Sequence, residues 1–355
     1  MKKAVLFAAF MLVGGAPAVG QVNAGAEATA DAITQAASRG GFSGDVMATR
    51  GDVRLAVSIG VSGGKHSNIW RWASVTKQVI ATLVMQDVAA GRIDLDKPVS
   101  TYLPAFKSPN AGKVTVRQLL RHQSGLPNPD DTAATPDGLP TYYRPDYTGD
   151  RGPLTGYCAG PVKGEPGRNW SYNNCDYIVA GALLQAVDGK PWHRLVQERI
   201  ARPLKLRTLA AFPSKASTMP GFVDGKAEPS IALDSFGAAA GLYGSVGDLW
   251  LFDRALLTGT LLPEAQRREM WDGQPKLGAI ALGQWVFEAP LKGCAKSLRI
   301  VERRGAIGGV QVRNFILPDN DTVVIAFANH AEFDFGEVWQ GSGYSFDLLS
   351  AVACS

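Results

Sequence analysis

Strand-like runs lie near both ends of this chain, and helical stretches fill most of the sequence between them. Val, Ile, Thr and aromatic residues bounded by Gly, Pro, Asp and Asn are typical of strands. Five runs are predicted as strands on this basis: 44–49, 53–59, 298–303, 310–316 and 322–329. Strands that come from both ends can share one sheet only if the residues between them form an inserted lobe. We therefore predict a sheet assembled from distant segments, with a helical lobe inserted.

The remaining patterns predict helices and one long loop. The predicted helices are 26–39, 74–90, 116–122, 177–186, 192–201, 246–257 and 345–353. Between them, residues 128–164 are rich in Pro, Asp, Gly and Tyr and show neither a helical nor a strand period. Such a stretch is typical of a surface loop that shapes a binding cleft. No internal repeat is visible.

A serine and a lysine stand three residues apart at Ser74-Val75-Thr76-Lys77. On a helix this spacing places both side chains on one face, so the lysine amine can reach the hydroxyl. A serine hydroxyl is a poor nucleophile until a neighbouring base activates it. Bulky apolar residues precede Ser74, and a buried helix is predicted after it, so Ser74 is expected at the floor of a pocket.

Two further stretches extend this pattern. Tyr172-Asn173-Asn174 contains Tyr-x-Asn, and Arg303-Arg304-Gly305 ends a predicted strand with a cation-x-Gly. With Ser-x-x-Lys before them, the order resembles that of the serine β-lactamase and penicillin-binding family. The similarity is greatest to its branch of class C β-lactamases, D-alanyl-D-alanine carboxypeptidases and related serine esterases. Connecting segments that also resemble this family are 42–44, 91–99, 119–126 and 241–245.

The resemblance implies a fold of the α/β (α+β) class, β-lactamase/transpeptidase-like. In this fold a central antiparallel sheet, built from N- and C-terminal segments, is flanked by helices and carries an inserted, mainly helical lobe. On this basis residues 19–355 are expected to form a single domain. The sheet lobe would take about 19–73 and 285–355, and the helical lobe about 74–284.

The resemblance also assigns roles. Ser74 would be the nucleophile, and Lys77 and Tyr172 would share the proton transfers, with the sequence unable to say which is the base. Asn174 would donate a hydrogen bond to Lys77 or to the substrate amide. The backbone N–H groups of Ser74 and Ala306 would form the oxyanion hole, next to Gly305.

The third motif departs from the family pattern. The family usually has Lys or His, then Ser or Thr, then Gly, whereas this chain has Arg303-Arg304-Gly305. Arginine keeps the positive charge and adds a fork that suits a carboxylate. Arg303 is therefore predicted to face the cleft and bind substrate, and Arg304 to face the other side because neighbouring strand residues alternate. The missing middle hydroxyl counts against efficient β-lactam hydrolysis.

The first residues are typical of an export signal. Met1-Lys2-Lys3 is followed by an apolar run over 4–13 and the small-residue site Ala16-Pro17-Ala18, so residues 1–18 are predicted as a signal peptide. Removing Lys2 and Lys3 lowers the formal charge from +4 to +2. Nothing in this composition indicates nucleic-acid binding. No later stretch is long and apolar enough to predict a membrane span.

Four cysteines, Cys158, Cys175, Cys294 and Cys354, allow three pairings in an exported chain. Cys158–Cys175 and Cys294–Cys354 need the least rearrangement of the chain. Their spacing matches no zinc site, and we predict neither a metal nor a cofactor.

The sequence thus predicts a periplasmic or secreted serine hydrolase that acts as a monomer, through an acyl-enzyme, on a peptide, amide or ester carbonyl. A D-amino-acid peptide or ester is favoured slightly as its substrate. β-Lactam hydrolysis is the alternative, and a non-catalytic penicillin-binding or sensing module is a second alternative.

Overall fold

The computed structural model of the chain describes residues 7–10, 24–51, 53–60, 68–214 and 216–354. The predicted signal peptide therefore lies outside the described residues, apart from the short strand at 7–10. Within the described part, no helix combines the length and apolar character needed to cross a bilayer.

The centre of the fold is a seven-stranded sheet in which every neighbouring pair is antiparallel. Its strands are β1 (Phe7–Phe10), β2 (Gly44–Arg50), β3 (Val53–Ile59), β9 (Trp285–Ala289), β10 (Leu298–Ile307), β11 (Val310–Leu317) and β12 (Thr322–Ala328). The spatial order is β1-β3-β2-β12-β11-β10-β9, so the N-terminal and C-terminal strands meet where β2 pairs with β12. The expected sheet built from both ends of the chain is confirmed.

Five shorter strands form two small sheets. They are β4 (Trp70–Arg71), β5 (Ala210–Ala211), β6 (Phe222–Val223), β7 (Lys226–Ala227) and β8 (Leu242–Gly244). The first of them, β4, pairs with β8, which in turn pairs with β5. This small sheet fixes the chain immediately before Ser74.

The α-helices surround the main sheet and form the inserted lobe. They are α1 (Ala24–Ala37), α2 (Thr76–Ala89), α3 (Val116–Leu120), α4 (Asn174–Asp188), α5 (Trp192–Val196), α6 (Gly237–Ala240), α7 (Val246–Leu257), α8 (Glu264–Met270) and α9 (Tyr344–Ala353). Helix α5 continues as a π-helical turn over Gln197–Ala201. The long stretch 128–164 contains three 3₁₀ turns and one isolated β-bridge, Ala134 with Pro140, but no helix or strand, as its lack of a period predicts.

Strand β12 shows how the layers pack. All seven of its residues are buried, as expected for a strand covered on both faces. Because strand side chains alternate, Val323, Ile325 and Phe327 join the core shared with the helical lobe. Val324 and Ala326 join a second core, beneath α1 and α9. The sheet is therefore a middle layer, with the helical lobe on one face and the terminal helices on the other.

Two disulfides join the pairs favoured by the sequence. Cys158–Cys175, with Cα atoms 5.3 Å apart, ties the long loop to the first turn of α4. Cys294–Cys354 ties the segment before β10 to the end of α9.

Loss of the Cys158–Cys175 bond is expected to lower the free energy of unfolding by about 3 kcal/mol. The bond closes a short loop in the unfolded chain, and without it the unfolded chain gains conformational entropy. Denaturant unfolding of the double variant Cys158→Ser/Cys175→Ser measures this change. The matched variant Cys294→Ser/Cys354→Ser, which opens a longer loop, is expected to lose about 4 kcal/mol. An unchanged midpoint in both variants would contradict this account.

Candidate active site

Ser74 lies where the chain turns from β4 into α2. A 3₁₀ turn over Ala73–Val75 precedes the helix, and Ala73 adopts a φ of 45°, in the left-handed region that costs a non-glycine residue energy. Strand β10 comes so close that a Cβ added to Gly305 would lie 2.6 Å from the backbone nitrogen of Ser74. Glycine is therefore required for this strand to pass the serine.

The Ser74 hydroxyl has two polar neighbours. Its Oγ lies 2.6 Å from the hydroxyl of Tyr172 and 3.1 Å from Nζ of Lys77. Lys77 is fully buried, and its Nζ also donates to Oδ1 of Asn174 at 2.7 Å and to the carbonyl of Ala239 at 3.0 Å. These contacts bring together the serine, lysine and tyrosine that the sequence singled out. Asn174 accepts from Lys77 and does not donate to it, although donating to Lys77 was one of the two roles that the resemblance implied.

Burial and mutual charge shift the pKa values of this group. Burial lowers the pKa of Lys77 to about 8, although Tyr172 acts in the opposite direction. Burial alone would raise the pKa of Tyr172. The positive charges of Lys77 and Arg303 outweigh that effect and lower the pKa of the phenol. Both shifts favour loss of a proton from the Lys77–Tyr172 pair.

Arg303 lies on the face of β10 that points towards Ser74. Its side chain is fully buried. Nε donates to the carbonyl of Ser74 at 2.8 Å, and one terminal nitrogen, Nη2, donates to the hydroxyl of Tyr172 at 3.0 Å. The other, Nη1, is buried without a hydrogen-bond partner among the described residues. The guanidinium is thus held mainly by the serine and tyrosine themselves.

Arg304 points to the opposite face of the sheet, as strand alternation predicts. It forms a two-pronged pair with Glu337, at 2.5 and 2.7 Å, and a further ion pair with Glu302 at 2.8 Å. Both carboxylates belong to the protein, so the charge of Arg304 is largely neutralised where it borders the cavity.

A cavity of about 350 Å³ opens above Ser74. Its lining includes the serine, Tyr172, Asn174, the stretch 303–306 and the aromatic side chains of Trp170, Phe236 and Trp285. Strand β9 pairs with β10 only as far as Glu302, so within the described part of the chain 303–307 has no strand beside it on this edge. The backbone of that edge is open to a substrate.

The turn between β10 and β11 determines which way the N–H of Ala306 points. Ile307 pairs with Val310 across the two-residue turn, and in such hairpins the flanking residues exchange hydrogen bonds with each other. Because the pattern alternates, the N–H of Ala306 points away from β11, towards the open edge. Ala306 and Ser74 line the same cavity.

A carboxylate that the sequence analysis missed borders the cavity. Asp130 accepts from the hydroxyl of Tyr143 at 2.5 Å, and from Nδ2 of Asn174 at 3.0 Å to one oxygen and 3.3 Å to the other. The ring of Tyr143 stacks on Phe236 with centroids 4.1 Å apart. Asp130 lies in the long loop, where no period or motif marks a single residue.

A second missed feature lies behind Tyr172. The ring of His122 packs 4.7 Å from the tyrosine ring, and its Nδ1 lies 3.0 Å from the carboxyl of Asp176. Burial holds the pKa of His122 well below, and that of Asp176 well above, the usual range. The N–H of Asn173 donates to the same Nδ1 at 3.3 Å.

Comparisons with known proteins show which family this chain belongs to. A family model described as Beta-lactamase matches residues 29–340. The chain belongs to the β-lactamase family. It is 26% identical over 305 residues to the penicillin-binding protein PbpX of Bacillus subtilis (strain 168), a match that covers 81% of this chain and 71% of PbpX. As a member of the β-lactamase family, the chain is a serine hydrolase.

Two further relatives show the range of the β-lactamase family. The crystal structure of a D-stereospecific amidohydrolase from Streptomyces sp. superposes with a TM-score of 0.72 and 27% identity, covering 92% of this chain and 98% of that one. The esterase EstB of Burkholderia gladioli is 30% identical over 180 residues. That match covers 46% of this chain and 44% of the esterase, so it spans less than half of either.

Proposed function

We propose that this β-lactamase-family hydrolase cleaves amide or ester bonds through an acyl-enzyme on Ser74. The observation that carries the proposal is the contact of Ser74 Oγ with both Tyr172 and Lys77 at the floor of an open cavity. In the first half-reaction Oγ bonds to the substrate carbonyl carbon while its proton passes to the Lys77–Tyr172 pair. The same proton then goes to the leaving nitrogen or oxygen as its bond to the carbonyl carbon breaks.

Water completes the cycle by the reverse route. The pair takes a proton from water, the hydroxide attacks the acyl carbon, and the proton returns to Ser74 as the ester bond breaks. The backbone N–H groups of Ser74 and Ala306 would hold the oxygen that becomes negative in both half-reactions. One such donor typically contributes about a hundredfold or more in rate.

The main role of Arg303 would be to stabilise the deprotonated form of Tyr172. It is a permanent cation that donates to the phenol oxygen, so it favours the phenolate form in which Tyr172 can accept the serine proton. Its Nη1 is the donor we propose for a substrate carboxylate, because the other two nitrogens are occupied by the protein. Since Nη1 is buried, this contact requires the Arg303 side chain to shift towards the cavity when substrate binds.

The rate is expected to rise with pH, because the active state of the Lys77–Tyr172 pair has lost one proton, whichever residue gives it up. With the pKa of Lys77 at about 8, kcat/KM for a neutral ester should fall about tenfold for each pH unit below 8. The charged groups that face the pair are Arg303 and, across Asn174, Asp130. A rate that is flat between pH 6 and 9, or that falls with rising pH, would contradict this assignment.

Removing the charge of Arg303 should raise the apparent pKa of the pair by about one unit or more, because a nearby cation disfavours the protonated pair. Arg303→Gln is therefore expected to move the rising limb of kcat/KM to higher pH, for neutral and carboxylate-bearing esters alike. Arg303→Lys keeps a cation and is the matched control. If Arg303 served only to bind a carboxylate, Arg303→Gln would slow the carboxylate-bearing ester alone and leave the limb in place.

D-Amino-acid peptides and esters are the substrates we favour. The D-stereospecific amidohydrolase and the penicillin-binding protein among the relatives support this class, and the departure at Arg303-Arg304-Gly305 counts against β-lactams. A panel of D-alanyl peptides, short esters and cephalosporins tests the choice. Turnover of cephalosporins alone would favour the β-lactamase alternative, and no turnover of any compound would favour a sensing module.

We also propose that the protein works outside the cytoplasm. Two disulfides are typical of oxidising compartments, and they agree with the predicted signal peptide at 1–18. Cleavage after Ala18 would remove the edge strand β1 and leave a sheet of six strands. N-terminal sequencing of the protein recovered from the medium or periplasm tests this proposal, since Val19 should come first and an intact Met1 would contradict it.

A further inference from the structure

The cavity above Ser74 is lined by groups of opposite charge. Beside Trp285, Arg303 places positive charge, whereas the charge of Arg304 is taken up by Glu302 and Glu337. Beside Phe236 and Asn174, Asp130 places a carboxylate. The two ends of a bound substrate would therefore meet opposite charges.

Asp130 has no cationic partner. No lysine, arginine or histidine nitrogen lies within 4.0 Å of its carboxylate among the described residues, whereas its neighbour Asp131 pairs with Lys163 at 3.5 Å. Its two protein donors are neutral groups, the phenol of Tyr143 and the amide of Asn174. A carboxylate oxygen can accept two hydrogen bonds, so the oxygen reached only by the 3.3 Å contact keeps capacity for a further donor.

The carboxylate is also held in place. The 3₁₀ turn Pro129–Asp131 that carries it is capped by Asn128, whose side chain accepts from the N–H of Asp130 at 3.4 Å. Asn174 connects it directly to the reacting groups, because its Oδ1 accepts from Lys77 and its Nδ2 donates to Asp130. The charge therefore sits one amide group away from the catalytic lysine, at a fixed position.

We infer that Asp130 forms a subsite for an ammonium group in the acyl part of the substrate, so that the enzyme acts on aminoacyl amides and esters with a free amine. The inference rests on the proposed acyl-enzyme function, because it assigns Asp130 to the substrate that acylates Ser74. An ammonium is the complement of a fixed carboxylate beside an aromatic side chain, here Phe236. An N-acylated peptide would bring a neutral amide to the same place and leave the carboxylate without a counter-ion.

The test compares racemic alanine benzyl ester with its N-acetyl derivative, so that the result does not depend on the preferred enantiomer. The wild-type protein is expected to favour the free amine in kcat/KM by about ten- to a hundredfold, the usual effect of a charge-assisted hydrogen bond. Asp130→Asn should bring the ratio close to one. Asp131→Asn is the matched control and should keep the preference. Tyr143→Phe removes a hydrogen bond to the carboxylate and the 2.9 Å bond that Asn174 donates to the phenol, but it leaves the carboxylate itself, so it should also keep the preference.

The pH dependence of the ratio gives a second readout. An α-amino group of this kind loses its proton near pH 8, so the preference should weaken above that pH. Both esters share the same enzyme groups, so the titration of Lys77 cancels in the ratio.

The outcomes separate this inference from the function on which it rests. Equal rates for the two esters, hydrolysis of neither, or a preference that survives in Asp130→Asn would overturn the ammonium subsite. Hydrolysis of p-nitrophenyl acetate that Ser74→Ala does not reduce would overturn the acyl-enzyme function itself.

Discussion

Tyr172→Phe is expected to lower kcat/KM for a p-nitrophenyl ester by about 10²- to 10⁴-fold. The substitution removes one oxygen atom, and with it the 2.6 Å contact to Ser74 and the 3.0 Å contact to Arg303. Without the phenol, the serine proton has only Lys77 to go to, and Lys77 is fully buried and bound to Asn174 and Ala239. Steady-state kinetics across the pH range measure the loss.

The control for this variant is Tyr102→Phe. Among the described residues, the hydroxyl of Tyr102 forms hydrogen bonds with the backbone of Asp94 alone, and Tyr102 does not line the cavity, so its removal should leave kcat/KM unchanged. A loss of less than tenfold in Tyr172→Phe, with the rising pH limb intact, would mean that Lys77 alone accepts the proton.

Gly305→Ala is expected to lower kcat/KM by about a hundredfold or more. The added methyl carbon would lie 2.6 Å from the nitrogen of Ser74 and 2.9 Å from Cβ of Ala73, so the serine and strand β10 must move apart. A displacement of this size misplaces the nucleophile relative to the N–H of Ala306, and such errors cost about a hundredfold. The rate of acylation by a chromogenic ester measures the effect.

Gly247→Ala is the matched control, because a Cβ there meets nothing closer than 3.8 Å. That variant should keep both its activity and its thermal stability. If Gly305→Ala were as active as Gly247→Ala, Ser74 and Ala306 could not form one oxyanion hole across this contact.

Local patterns were enough to predict most of the larger elements. The helix at 246–257 and the strands at 310–316 and 322–329 match α7, β11 and β12 within one residue at each end, because their apolar periods are regular and their boundaries carry turn residues. Strand β10 continues to Ile307, four residues beyond its predicted end. Its last residues include Gly305 and pass the serine, so tertiary contact rather than strand propensity decides their conformation.

Other elements were missed for identifiable reasons. Helix α8, Glu264–Met270, has mostly polar residues and buries only Met270, so it shows no apolar period. Strand β9, Trp285–Ala289, mixes buried and exposed positions and depends on its pairing with β10. The two-residue strands β4 and β5 exist only because β8 lies between them, a long-range contact that no local pattern reveals.

Some residues of the candidate site could likewise be found from the sequence, and others could not. Ser74, Lys77, Tyr172 and Asn174 could be found because their spacing follows a known order of motifs. Asp130 could not, because it reaches Asn174 only through the fold of a long irregular loop. The contact of Arg303 with Tyr172 also required the structure, since strand alternation predicts which face a side chain takes but not what it meets there.

The central claim, that Ser74 is the nucleophile, is tested most directly by the mass of the intact protein after reaction with a fluorophosphonate. One phosphonyl group should add to the wild-type protein, and peptide mapping should locate it on Ser74. Ser74→Ala should gain no mass under the same conditions. An adduct of the same size on Ser74→Ala, or its location on any other residue of the wild-type protein, would contradict the assignment.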